Sequence, residues 1–224
     1  MLKALSFAHS LGVIHCDIKP ENILMTTSTN YLSEPSIKVI DWGCSKFEND
    51  PNKETYIQSR PYRAPEVILG CKYNHKVDIW SLGCVLAELF NENLLFSNKS
   101  IPIMLAQIVA MAGPIPAWMI EQGYNAHHYI RGGYLYELQE SARSIITTQR
   151  QRKPNFNDES DEEADYEEDL SFVSFYFPKP TKLEHRISSE DELFVDFLKS
   201  LLQVDPQKRI NAEEALSHPW LVSN

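Results

Sequence analysis

The chain has 224 residues, 43% hydrophobic and 23% charged, which excludes a collagen-like repeat, a wholly disordered tail and a disulfide-stapled miniprotein. Lysine and arginine total 21 against 31 acids, for a net charge of −10. Nine of those acids fall within residues 158–169, so the remainder is nearly neutral and lacks the clustered basic face of a nucleic-acid binder.

Residues 1–11 place Leu2, Leu5, Ala8 or His9, and Leu11 on one face, predicting an amphipathic helix ended by Gly12. Two short β-type runs follow at 22–25 and 37–40, separated by a Thr/Ser/Asn/Pro loop. Residues 41–66 are polar, without a sustained period. Residues 77–90 are apolar almost all round, the pattern of a helix buried in the middle of a domain. A further helix spans 102–112 and stops at Gly113-Pro114.

From about residue 123 to 188 the regularity is lost. This stretch holds His127 and His128, a basic cluster (Arg150, Arg152, Lys153), the acidic run and the aromatics Phe172, Phe175, Tyr176 and Phe177. The acidic run reads as a solvated, disordered and dispensable insertion, with Ser160 placed for an acidophilic kinase. The aromatics read as anchors for its return to the core, and the His pair as structural or exposed, with no third metal ligand spaced to join it. Ser189 and Glu192 form a capping-box pattern opening a helix through Leu202. A last short helix spans 211–216, with Asn211 as cap and Glu214 three positions on.

No apolar run reaches the roughly 18 residues of a membrane span, and no signal peptide pattern opens the chain. Cys16, Cys44, Cys71 and Cys84 show no metal-ligand spacing and read as reduced thiols. A soluble, intracellular protein is expected, cytoplasmic or nuclear, with neither nucleic acid nor membrane as partner.

The chemistry concentrates in His15-Cys16-Asp17-Ile18-Lys19-Pro20-Glu21-Asn22. A carboxylate, a lysine and an amide stand at fixed offsets in a loop just before a β-run. Phosphoryl transfer needs such a set: a carboxylate to orient and deprotonate a hydroxyl, a cation for the γ-phosphate and an amide oxygen for Mg²⁺. After the second β-run comes Asp41-Trp42-Gly43, where an Asp at a strand end suits Mg²⁺ and the aromatic can pack inward. Then follow Ala64-Pro65-Glu66 and Asp78-Ile79-Trp80-Ser81-Leu82-Gly83.

In order and spacing these elements resemble the catalytic loop, D-F-G element, A-P-E element and central helix of a eukaryotic protein kinase. The segments Tyr56-Ile57-Gln58-Ser59-Arg60 and Tyr62-Arg63-Ala64-Pro65-Glu66, with the long insertion, are most similar to the dual-specificity tyrosine-regulated kinases of the CMGC group. The resemblance implies a protein kinase-like (α+β) fold: a mostly α-helical large lobe with short β-strands around the catalytic loop. It implies ATP and Mg²⁺ as cofactors and protein substrates as partners. Asp17 is then the catalytic base, Lys19 the γ-phosphate contact, Asn22 and Asp41 the magnesium ligands. Ser59 bonds Asp17 and the substrate hydroxyl. Glu66 pairs with Arg209, Asp78 accepts from the catalytic-loop backbone, and Tyr56 is a phospho-switch facing Arg60 and Arg63.

Four positions depart from the pattern. Cys16 replaces the Arg of H-R-D, as in the resembled kinases, and Trp42 replaces the Phe of D-F-G. Glu54 stands where the resembled family has the first of two activation-loop tyrosines, and Pro61 alters the substrate +1 pocket. The larger departure is that no two glycines are spaced G-x-G, and no strand lysine precedes the loop. The chain, residues 1–224, is therefore expected to be a C-terminal lobe with its small lobe missing, carrying an insertion at about 140–187. Such a chain is a serine/threonine kinase by family, without turnover alone. The other reading is a non-catalytic interaction or decoy protein made of a lone large lobe.

Overall fold

The computed structural model describes residues 1–26, 36–51, 54–96, 99–138 and 173–223. Helix α1 (Leu2–Ser10) turns Leu2, Leu5 and Ala8 inward. Gly12, at φ +71°, redirects the chain into β1 (Val13–Ile14), a conformation that only glycine adopts without steric cost. Strands β2 (Ile23–Thr26) and β3 (Ser36–Val39) pair antiparallel, with Ile23 opposite Val39. Strand β4 (Lys46–Phe47) comes back to β1, Val13 against Phe47. These two small ribbons hold the ends of the loops that carry the sequence motifs.

Helix α2 (Pro65–Leu69) leads to α3 (Lys76–Asn91), which buries Val77, Ile79, Trp80, Leu82 and Val85 at the centre of the core. At Gly83 an added Cβ would lie 2.9 Å from the Leu202 side chain, so the bare backbone is what admits that neighbour. Helix α4 (Ile101–Ala112) is opened by Ser100, whose hydroxyl accepts from the Ile103 amide, and ended by Gly113 at φ +106°. Helix α5 (Ala117–Gln122) follows.

Sequence periodicity predicts no regular structure over 123–188, and the described part of that stretch corrects this. Strands β5 (Ile130–Arg131), β6 (Tyr134–Leu138) and β7 (Val173–Tyr176) form a three-stranded antiparallel sheet, and α6 (Leu183–Ile187) follows. Leu135 is buried opposite Tyr176, whose hydroxyl donates to Glu137 at 2.7 Å. The inner face thus spends one residue in two, a pattern too short to read in a single strand. His127 and His128 are exposed, their rings 3.9 Å apart. The acidic run, the basic cluster and Phe172 lie outside the described residues.

Helix α7 (Glu192–Leu201) corrects a second expectation. Its cap is Asp191 rather than Ser189: the Asp191 carboxylate accepts from the Phe194 amide at 3.0 Å and from the Trp220 indole at 3.1 Å. Ser189 instead accepts from the Asp191 amide. A carboxylate at a helix start also meets the positive end of the helix dipole, which a hydroxyl does not. Helix α8 (Ala212–Leu216) has the full capping box, Asn211 and Glu214 exchanging two bonds of 2.8 Å. Helix α9 (Pro219–Val222) closes the described chain. Among the described residues no helix is long and apolar enough to cross a membrane, and the four cysteines are free.

One ion pair crosses this core. Arg209 donates to both oxygens of Glu66, at 2.6 and 2.9 Å, and both side chains are fully buried. Arg209 also donates to the Gln203 and Lys76 carbonyls and lies 5.1 Å from the Trp80 ring. Its desolvation is thereby offset by a bidentate carboxylate and two further acceptors. Arg209→Ala should leave Glu66 buried and unpaired, costing about 3–5 kcal/mol. Thermal melting should fall by on the order of 10 °C, whereas a melting curve within error of the parent contradicts this account of the pair.

Candidate active site

The site is built outward from Asp78, fully buried in the first turn of α3. Its Oδ2 accepts from the His15 amide at 2.8 Å and its Oδ1 from the Cys16 amide at 3.0 Å. The His9 ring donates a third bond from Nε2 at 2.9 Å. Cys16 sits at φ +67°, a left-handed conformation unusual for a residue with a side chain, and these bonds hold it there. Burial, with Asp78 beside it, pushes the Cys16 thiol up to about 12. It is therefore a neutral packing residue that cannot grip an anion.

His15 links the two motifs. Its Nδ1 accepts from the Asp17 amide at 3.2 Å, so Nε2 carries the proton donated to the Ile40 carbonyl at 3.0 Å. Ile40 directly precedes Asp41, and its own amide donates to the Asn22 carbonyl at 3.0 Å. Asp41 is exposed at φ +59°. Trp42 is also exposed rather than buried, its ring edge-on to His15 at 4.6 Å.

Around Asp17 the polar groups converge. Lys19 Nζ donates to Oδ2 at 2.7 Å, and the Ser59 hydroxyl and amide donate to Oδ1 at 2.8 and 3.1 Å. Lys19 also donates to Ser59 Oγ at 3.3 Å. Asn22 Nδ2 donates to the Asp17 carbonyl at 2.9 Å, which leaves its carboxamide oxygen as the atom for a cation. Burial acts to raise the Asp17 pKa, but the Lys19 and Ser59 bonds outweigh it and hold the carboxyl below its usual range.

The segment from Tyr56 to Glu66 is fixed mainly by Gln58, a buried residue at φ +67°. Its amide nitrogen donates to Val77 O and Ser81 Oγ at 2.9 and 2.7 Å, and its oxygen accepts from the Ala64 amide at 3.0 Å. Buried Arg63 donates to the Ile57 and Gln58 carbonyls and lies 3.9 Å from the centre of the Tyr56 ring. Tyr56 is itself 67% exposed, and its hydroxyl is held below the usual tyrosine range by the Arg63 bond, with Arg60 adding to it. Lys46 pairs with Glu54 at 3.3 Å. Pro61 lies in a 3-10 turn, Arg60–Tyr62.

The sequence model of the protein kinase domain family matches residues 1–221, nearly the whole chain. The chain belongs to the protein kinase domain family. It is 38% identical over 229 residues to the serine/threonine-protein kinase ppk15 of Schizosaccharomyces pombe, covering 99% of this chain and 41% of that one. It is 34% identical over 232 residues to the human dual specificity tyrosine-phosphorylation-regulated kinase 3, covering 99% and 35%. A crystal structure of a kinase domain superposes with a TM-score of 0.67 at 29% identity, covering 98% of this chain and 62% of that one. The chain spans about two fifths or less of the length of these curated relatives.

Within this kinase domain, the motif residues Asp17, Lys19, Asn22 and Ser59 meet in one cluster, with Asp41 tied to it through Ile40 and Asn22. Tyr56, Arg60 and Arg63 form a second group, and Glu66 and Arg209 a third within the core. His15 and Gln58 are site residues that sequence reasoning missed. His15 stood inside the motif without a role, and nothing local marks Gln58 apart from other residues of a polar run.

Because Ser59 contributes two of the bonds to Asp17, Ser59→Ala should raise the Asp17 pKa, and Lys19→Met should raise it further. A depressed carboxylate adds stability above its unfolded pKa and loses it as pH falls through the folded value, so both variants should also flatten the acid limb of stability. Carbon-13 NMR titration of the Asp17 carboxyl checks this. An unmoved midpoint contradicts it.

Proposed function

We propose that this chain carries the catalytic, phosphate-binding and magnesium side of a protein serine/threonine kinase site, transferring the γ-phosphate of ATP to a protein hydroxyl. The observation that carries the reading is the Asp17 carboxylate, kept ionised between Lys19 and Ser59 beside Asn22 and Asp41. A carboxyl with a depressed pKa is a weak proton acceptor, so Asp17 works chiefly by orienting the substrate hydroxyl and takes its proton late. Ser59 keeps one Asp17 oxygen aimed at the segment where substrate lies. Lys19, bonded to Asp17, is placed to give its charge to the γ-phosphate.

Asn22 and Asp41 fit magnesium, which asks for few protein oxygens and keeps the rest of its shell for water and phosphate. When bound, the ion neutralises phosphate charge as it develops. Its protein ligands need only be two, and the chain offers a carboxamide oxygen and an exposed carboxylate.

The finer reading is that this is the large-lobe half of the site. It is supported by the lack of G-x-G and by the apolar side chains left open beside the cluster: Leu24, Met25 and Ile37 are 47%, 64% and 40% exposed. The same open face is what a non-catalytic binding protein would use, and that is the second reading. Phosphate on Tyr56 would meet Arg60 and Arg63, although Arg63 already spends two donors on backbone carbonyls. The free thiols support an intracellular setting.

The purified 224-residue chain, given Mg²⁺-ATP and a protein substrate, should show no phosphotransfer above Asp17→Asn. The full-length gene product should show activity that Asp17→Asn abolishes and Tyr56→Phe lowers. Turnover by the short chain overturns the half-site reading, and an Asp17-independent full-length activity overturns the kinase reading.

A further inference from the structure

A cavity of about 310 Å³ lies at the start of α1, the end remote from the catalytic loop. Leu82 and Leu86 of α3, Phe197 of α7, and Leu216 and Trp220 at the C-terminal end line it, with Lys3 as its one charged side chain. We propose that this cavity binds a medium-chain fatty acid, its alkyl chain inside and its carboxylate against Lys3.

The dimensions select the tail. A methylene fills about the volume of a water molecule in the liquid, about 30 Å³, so the cavity accepts about ten carbons, near the lower end of ligand pockets. The side walls are aliphatic and aromatic carbon on four helices, and no acid lines the cavity to repel an anion. A polar ligand would leave its groups unpaired against such walls.

Charge selects the head. The Met1 amino group, also at the mouth, is held below its usual pKa, first by burial and then by the nearby Lys3 ammonium. Two cationic groups crowd one apolar rim, and a carboxylate there relieves both the repulsion and the desolvation. Nothing in the proposed phosphotransfer uses these residues, so the inference stands or falls apart from that reading.

Isothermal titration of the 224-residue chain with decanoate tests it. Saturable binding at one site per chain is expected, and octanoate should bind on the order of tenfold more weakly, since each methylene is worth about fourfold. Leu86→Trp should fill the cavity and abolish binding. Lys3→Glu, on an exposed residue that does not threaten the fold, should weaken decanoate while leaving decanol unchanged. No saturable binding, equal affinity for both chain lengths, or indifference to Leu86→Trp in a variant that melts like the parent overturns the proposal. Sedimentation showing a ligand-free dimer that Leu86→Trp dissolves would assign the cavity to a second copy and overturn it too.

Discussion

Two backbone amides aimed at one buried carboxylate fix the geometry of the candidate site. Asp78 has no access to solvent, and an ionised carboxylate in that position is tolerable only because His15, Cys16 and His9 all donate to it. The requirement runs both ways. The loop cannot leave without stranding a charge, and Asp78 cannot turn away without releasing Cys16 from its left-handed conformation. Asp17 is the next residue along, so its direction is inherited from a helix in the core rather than chosen by the loop.

The same helix holds the substrate side. Gln58 reaches Val77 and Ser81, one and three positions from Asp78, and Ser81 in turn donates to the Tyr62 carbonyl. Ser59 follows Gln58 and is bonded to Asp17. Thus α3 positions both the carboxylate and the hydroxyl that meets it. Glu66 and Arg209 anchor the far end of that segment to the loop before α8. A buried bidentate pair adds less net stability than its geometry suggests, because both ions are desolvated. What it provides is a fixed register between segments 143 positions apart.

How much of this was legible followed from distance along the chain. The Asp17, Lys19 and Asn22 constellation and the Asn211–Glu214 box are local, so their spacing is their geometry. The buried helix announced itself by being apolar on all sides. Gln58 and His9 did not, because their partners lie 19 to 69 positions away and no periodicity records such a bond. The β6–β7 ladder was hidden for the same reason: two strands of four or five residues, joined across 34 positions, carry too few alternations to be read singly. The Ser189 cap was misassigned because a serine and an aspartate compete for one helix start, and the Trp220 indole favours the carboxylate.

The central claim is that the Asp78 carboxylate holds the catalytic loop in the shape that keeps Asp17 ionised and aimed. Amide hydrogen exchange at His15 and Cys16, compared between the parent chain and Asp78→Asn, tests it most directly. The substitution keeps the shape of the side chain but removes the charge and turns one acceptor into a donor. The account predicts that protection at both amides collapses while the amides of α7 stay protected. Equal protection of His15 and Cys16 in parent and variant would contradict it.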